Sequence, residues 1–308
     1  SWAYGTPPSQ EDSVKLLNHA LDLGYNHLDT ANIYGLGHNE TLVAKALKTR
    51  RHEYFLATKM GMVVDGTTRG IDCSPEAINR CIDESLTRLQ TDHADLYYMH
   101  RFDPKVPIAE SMGAMADLVN AGKIRSVGVS EWSAAHIREA HAVHPVAAVQ
   151  TEYSPWTRNP EIAVLKTCQE LGVAFVAFSP VGRGVLANGV RDPLSLPEQD
   201  IRRNMPRFTQ ENWPQNLVLV DQFNALAAEL GVKPAQLSLA WLHARGEHVV
   251  SVPGTTNIQH LEENIARWDW VIPAEITQRI DAIINQKTVA GRRYAASTQR
   301  VIDTEEFD

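Results

Sequence analysis

The sequence predicts an α/β protein closed into an eight-stranded (β/α)8 barrel of the TIM type, and three observations predict it. Short β-branched or aromatic runs recur along the chain; a polar junction and an amphipathic helical stretch follow each; and nearly every run ends in a side chain able to do chemistry. Near-continuous apolar strands alternating with helices belong to a parallel sheet covered by helices, either open and doubly wound or closed into a barrel. The strand ends decide between them. Asp29, Lys59, His100, Ser130, Gln150 and Ser179 close successive runs, and only a barrel gathers all its strand ends around one mouth. No G-x-G-x-x-G follows a first strand, so the open alternative lacks its phosphate loop.

Seven strands are read, at 25–29 ("YNHLD"), 54–59 ("YFLATK"), 95–100 ("DLYYMH"), 125–130 ("RSVGVS"), 146–150 ("VAAVQ"), 173–179 ("VAFVAFS") and 249–253 ("VVSVP"). Eight are required. The first is therefore expected to lie mostly upstream of Ser1, and the native chain to run about 10–25 residues further. Between the strands, "SPEAINRCIDESLTRL" has Ser74 as a cap and Pro75 at the first helical position, and "KPAQLSLAWLHA" has Pro234 near its start. The stretch 182–213 has the Gly/Pro punctuation of a long loop after the 173–179 strand, and such loops commonly carry function. The tail from about 287 to 308 is expected to lie over the surface near the mouth. No linker stands out, so residues 1–308 are read as one domain.

Composition narrows the function classes. A chain of 308 residues with 44% hydrophobic content can bury a substantial core. A net charge of -8 with interspersed signs argues against a nucleic-acid or anionic-membrane surface. Three cysteines (Cys73, Cys81, Cys168) make no disulfide framework and point to a reducing compartment, the cytoplasm by default. No apolar run approaches the roughly 20 residues of a membrane helix. His136, His141 and His144 lack metal-ligand spacing, so no metal is expected. Trp132 and Trp156, which follow two of the strands, are read either as pocket lining or as packing. Nothing indicates the oligomeric state.

The end of the first visible strand carries the chemistry. In "HLDTANIYGLG", Asp29 closes the strand and Tyr34 follows five residues later; in a barrel both meet Lys59 and His100 at one rim. A phenol with a pKa near 10 exchanges protons poorly at neutral pH unless a nearby cation favours the phenolate. Lys59 is that cation, Asp29 keeps it charged, and His100 can donate a hydrogen bond to a carbonyl oxygen. Independently, the turns "FSPVGRG" and "PGTT" sit after the last two strands, where barrels bind phosphate through backbone N–H groups.

Taken together, "HLDTANIYGLGHNETLVAKAL", "LATKMG", "LYYMHRFDP", "GKIRSVGVSEW", "VQTEYSPW", "AFSPVGRGVL" and "VPGTTNIQHLEENI" cover essentially the whole chain, and the set resembles the aldo-keto reductase superfamily. The resemblance implies an NAD(P)-dependent oxidoreductase acting on a small carbonyl or alcohol. It makes Tyr34 the proton donor, Lys59 and Asp29 its pKa tuners, and His100 the substrate orienter. It lays the dinucleotide along the later strands. Trp2 matches the aromatic after the first strand; Ser130 and Gln150 match the carboxamide ligands; Phe178 matches the ring that stacks on the nicotinamide. Ser179, Pro180, Val181 and Gly182 match the pyrophosphate loop, with Arg183 an added cation. Gly254, Thr255, Thr256, His260, Glu263 and Asn264 match the adenosine end. Where many relatives have Ser-Asn or Ser-Arg, this chain has Ser130-Glu131. Where a 2′-phosphate often meets Lys or Arg, it has Thr256, Asn257 and His260, so NADP is expected with NAD left open; Arg207 in the long loop is the compensating candidate. The rival readings are an NAD-dependent sugar or alcohol dehydrogenase, a redox-sensing binding subunit with little turnover, and a Schiff-base aldolase using Lys59.

Overall fold

The structure is a computed structural model and describes residues 7–65 and 68–307. Trp2 and the expected first strand lie outside the described residues. The chain opens with helix α1 (Gln10–Asp22), capped by the Ser9 hydroxyl, and then alternates: β1 (His27–Asp29), α2 (His38–Leu47), β2 (Phe55–Met60). A hairpin follows, β3 (Met62–Asp65) with β4 (Thr68–Ile71), and then α3 (Pro75–Leu89), β5 (Leu96–Met99), α4 (Ile108–Asn120), β6 (Val127–Ser130), α5 (Ala134–Val143) and β7 (Val146–Glu152). The second half runs α6 (Val164–Leu171), β8 (Ala174–Phe178), α7 (Trp213–Glu229), α8 (Pro234–His243), β9 (Val249–Val252), α9 (Ile258–Ile265), α10 (Ala274–Ile283) and the short α11 (Ala296–Gln299).

All seven predicted strands form, and among the described residues they make one parallel sheet in the order β1-β2-β5-β6-β7-β8-β9. One contact shows that the sheet is curled. Gln150 Nε2 on β7 donates to Asp29 Oδ2 on β1 at 2.8 Å, although four strand spacings would separate those strands by about 19 Å in a flat sheet. The fold is therefore a nearly closed α/β barrel. Alternate positions face inward: Ala57, Leu96, Tyr98, Ala148 and Val176, from four different strands, pack as one cluster. Gly128 belongs to this layer, because a Cβ there would stand 2.4 Å from the Tyr98 ring. The opposite strand faces pack under the helices in a larger apolar core that includes Ile78, Met115, Val129, Phe175 and Trp241.

Two elements differ from expectation. The hairpin β3/β4 was not predicted, although "VVDGTT" contains an Asp-Gly turn signal. Residues 182–213, expected as a long loop, instead form four successive 3-10 turns, Gly182–Ala187, Pro193–Ser195, Ile201–Asn204 and Pro206–Phe208, pinned by buried Val185, Leu186, Met205 and Phe208. Ser74 does cap α3, its hydroxyl accepting from the Ala77 N–H.

Candidate active site

Period-two alternation aims Asp29, Lys59, Ser130, Gln150 and Phe178 inward, at the carboxyl ends of β1, β2, β6, β7 and β8. Lys59 is fully buried. Its ammonium donates to Asp29 Oδ1 and, at 2.8 Å, to the Thr30 carbonyl. Burial alone would lower the lysine's pKa, but the Asp29 carboxylate, and after it Tyr34, outweigh burial and leave it raised. That is the reverse of what a Schiff-base nucleophile needs, since such a lysine must be neutral. Tyr34, on the turn after β1, lies with its ring centroid 5.0 Å from Lys59 Nζ and 5.9 Å from the His100 ring, edge-on to it. The predicted tetrad is thus assembled in one place.

His100 follows β5 and is buried; its backbone N–H is tied to the Met60 carbonyl at 2.8 Å. Burial first, then Arg101 and Lys59, push its pKa well below the ordinary histidine value, so the ring is neutral. Its Nδ1 is buried without a hydrogen-bond partner, a costly state for a polar atom that a ligand could relieve. Arg101 joins this corner to the next strand through the Ser130 hydroxyl at 3.3 Å.

Along the later strands the predicted residues separate into three groups. Ser130 and Gln150 pair in register across β6 and β7, and Gln150 also bonds to Asp29, linking the two halves of the mouth. Ser179, Pro180, Val181 and Gly182 form a tight turn closed by Gly182 N–H to the Ser179 carbonyl at 2.9 Å. Ser179 has φ 51° and Gly182 φ 58°, and a Cβ on Gly182 would come within 3.2 Å of Trp156, so only glycine makes this turn easily. Gly254, Thr255, Thr256, His260, Glu263 and Asn264 lie apart, on the arc from β9 into α9. There the Asn257 side chain caps the helix by accepting from the Gln259 and His260 N–H groups.

Arg183 and Arg207, read as cofactor cations, both engage protein groups. Arg183 reaches the Glu152 carboxylate and the Tyr294 hydroxyl. Arg207 donates to the Trp156 carbonyl and, at 2.8 Å, to the Thr157 hydroxyl; burial brings its pKa down to about 10. Both belong to a buried ionic network that sequence reasoning did not find. Glu131, Glu152, Arg293, Tyr294 and Thr304 complete it. Burial alone would raise the Glu152 pKa, but Arg183, Arg293 and Arg207 hold it down at about 2. The one available signal was the "GRRY" basic-aromatic cluster in a tail expected at the mouth. Trp132 and Trp156 are both buried. No metal-binding group of three or more His, Cys, Asp or Glu occurs among the described residues, and none of their helices is long and apolar enough to cross a membrane.

Comparison with known proteins agrees with this geometry. The family described as "Aldo/keto reductase family" matches residues 1–285. The chain is 41% identical over 310 residues to "Aldo-keto reductase yakc [NADP(+)]" of Schizosaccharomyces pombe, covering 98% of this chain and 91% of that protein. Among solved structures it is similar to a glycerol dehydrogenase of Gluconobacter oxydans, with TM-score 0.84, 26% identity, and coverage of 100% of this chain and 92% of that one. It is also similar to an aldo/keto reductase of Klebsiella pneumoniae in complex with NADP and acetate, with TM-score 0.71, 25% identity, and coverage of 93% and 89%. A whole-length match, a barrel of the same shape and the strand-end constellation agree: the chain belongs to the aldo/keto reductase family.

Proposed function

We propose that the protein is an NADP-dependent carbonyl reductase that turns a small aldehyde or ketone into its alcohol, or runs the reverse reaction, with Tyr34 as proton donor. One observation carries this reading: the fully buried Lys59 ammonium, held by Asp29, stands 5.0 Å from the Tyr34 ring. A cation so placed can stabilise the negative charge that develops on the tyrosine oxygen as its proton passes to a substrate oxygen. Asp29 keeps Lys59 charged and in place. Neutral His100 donates an N–H to the same oxygen and orients the carbonyl, adding no positive charge to compete with Lys59.

The residues fit a dinucleotide. The Ser179–Gly182 turn is a cradle that any side chain at Gly182 would narrow, since a Cβ there meets Trp156 and Leu186. Ser130, Gln150 and Phe178 would hold the nicotinamide, the turn the pyrophosphate, and residues 254–264 the adenosine end. When bound, the cofactor supplies the hydride. The printed names of the fission-yeast relative and the Klebsiella complex support NADP. The glycerol dehydrogenase neighbour, together with the lack of Lys or Arg at Thr256, Asn257 and His260, supports the alternative that NAD is used in the oxidative direction. One domain over residues 1–308, a small-molecule substrate, no nucleic-acid partner at net charge -8, and a cytoplasmic setting for three free, buried cysteines complete the reading.

The test follows absorbance at the reduced-nicotinamide band against panels of aldehydes, ketones, alcohols and sugars, for the native protein and Tyr34→Phe. Turnover by the native protein and its loss in the variant, with cofactor binding retained, is the expected result. Equal turnover in both proteins overturns Tyr34 as donor.

A further inference from the structure

The tail beyond α10 does more than rest on the barrel. Arg293, 3% exposed, sends its guanidinium between two carboxylates, with Nη2 on Glu131 and Nε on Glu152 at 3.1 Å. Thr304 adds a bond to Glu131 Oε2 at 2.8 Å, and the Asp303 N–H bonds to the Glu131 carbonyl at 3.0 Å. Tyr294 donates to Glu152 Oε2 at 3.0 Å and meets the Arg183 guanidinium. The tail therefore holds both Glu131, directly after Ser130, and Arg183, directly after the 179–182 turn. Those two residues share a strained backbone. Glu131 has φ 58° and Arg183 φ 59°, left-handed values that L-residues with side chains keep only when their surroundings impose them.

We infer that Arg293, with Tyr294, is a positioning residue for cofactor binding: it clamps Glu131 and Arg183 in the backbone shape that aims Ser130 and the 179–182 turn at the dinucleotide. This rests on the reading that those segments bind the cofactor. Affinity for the cofactor and order in the tail are then linked, and by reciprocity each strengthens the other. Glu131 already accepts from the Glu152 N–H, Thr304 and Arg293. Its role here is to anchor the tail.

The test measures NADPH and NADH dissociation constants by fluorescence titration, with melting temperatures, for the native chain, Arg293→Met, Arg293→Lys and Tyr294→Phe. Arg293→Met is expected to weaken binding of the preferred cofactor on the order of tenfold, while kcat at saturating cofactor changes less than about threefold. Arg293→Lys restores a charge but not the two-pronged fork, so it falls between. Tyr294→Phe keeps the packing and weakens binding by a few-fold at most; it carries the test if Arg293→Met does not fold. Hydrogen exchange at residues 287–307 of the native chain slows when cofactor is added. A native chain that binds neither cofactor sinks the functional reading itself. Native binding with variants that lower only the melting temperature, or a tail whose exchange ignores the cofactor, overturns the clamp alone.

Discussion

The two sides of the barrel mouth solve different problems. On the side of β1, β2 and β5, four residues make the candidate reaction centre, with a single ion pair, Lys59 with Asp29, at its heart. On the side of β6, β7 and β8, three guanidinium groups (Arg183, Arg207, Arg293) surround two carboxylates (Glu131, Glu152), two of the three arriving from distant loops and the tail. The first side is compact, with Arg101 beside the neutral His100. The second is a buried network of charges, in which Glu306 also acts on Arg207. Proton transfer needs a few groups set at fixed separations, which adjacent strand ends provide. The second side, by contrast, is assembled from parts remote in the chain.

Separability is the sharpest question to ask of this contrast. Tyr34→Phe should cut turnover by roughly 10^2–10^4-fold, the usual worth of a positioned proton donor, and leave cofactor affinity alone; stopped-flow turnover beside fluorescence titration checks both, and a parallel loss of affinity would mean the sides are not independent. Next in size, Lys59→Met leaves Asp29 without its cation and should destabilise the fold by about 3–5 kcal/mol in denaturant titration. Adding Asp29→Asn should recover much of that stability and none of the turnover. If stability stays lost, packing of the lysine stem rather than its charge is what the fold needs.

The opposite wall should respond to acid. Glu152 has a pKa near 2 in the folded chain against 4.5 as its ordinary value, so its contribution is complete above about pH 4.5 and is lost as the pH falls toward 2. The loss is on the order of 3 kcal/mol, and Glu152→Gln should flatten the acid limb of a thermal-melt series. An unchanged limb in that variant would assign the acid sensitivity to other carboxylates. His100, already neutral, should add no acid limb of its own to kcat in the ordinary histidine range. The smallest effect concerns cofactor choice. Without a cation at Thr256, the preference for NADPH should stay below about a thousandfold, and Thr256→Lys should raise it roughly tenfold or more.

The same contrast explains what the sequence disclosed. The barrel was legible because every βα unit repeats one pattern, and the candidate centre because Asp29, Lys59 and His100 each end a strand, where period-two alternation fixes the direction a side chain faces. Arg293 was not legible, since its partners Glu131 and Glu152 stand 162 and 141 residues away and no periodicity spans such gaps. Arg183 and Arg207 fell between these cases. Their positions near the mouth could be read, but the carboxylates drawing them inward could not, and charge in isolation suggested phosphate. The four 3-10 turns of 182–213 hid for a similar reason: their apolar anchors are too irregularly spaced to register as helix or strand.

Below the mouth, the Tyr98 ring packs against Gly128, in one layer with Ala57, Leu96, Ala148 and Val176. Any side chain at residue 128 would have to displace that ring. The floor beneath Lys59 is thus solid because one position on its rim has no side chain at all, and a single methyl group added there would be felt by every neighbour in the layer.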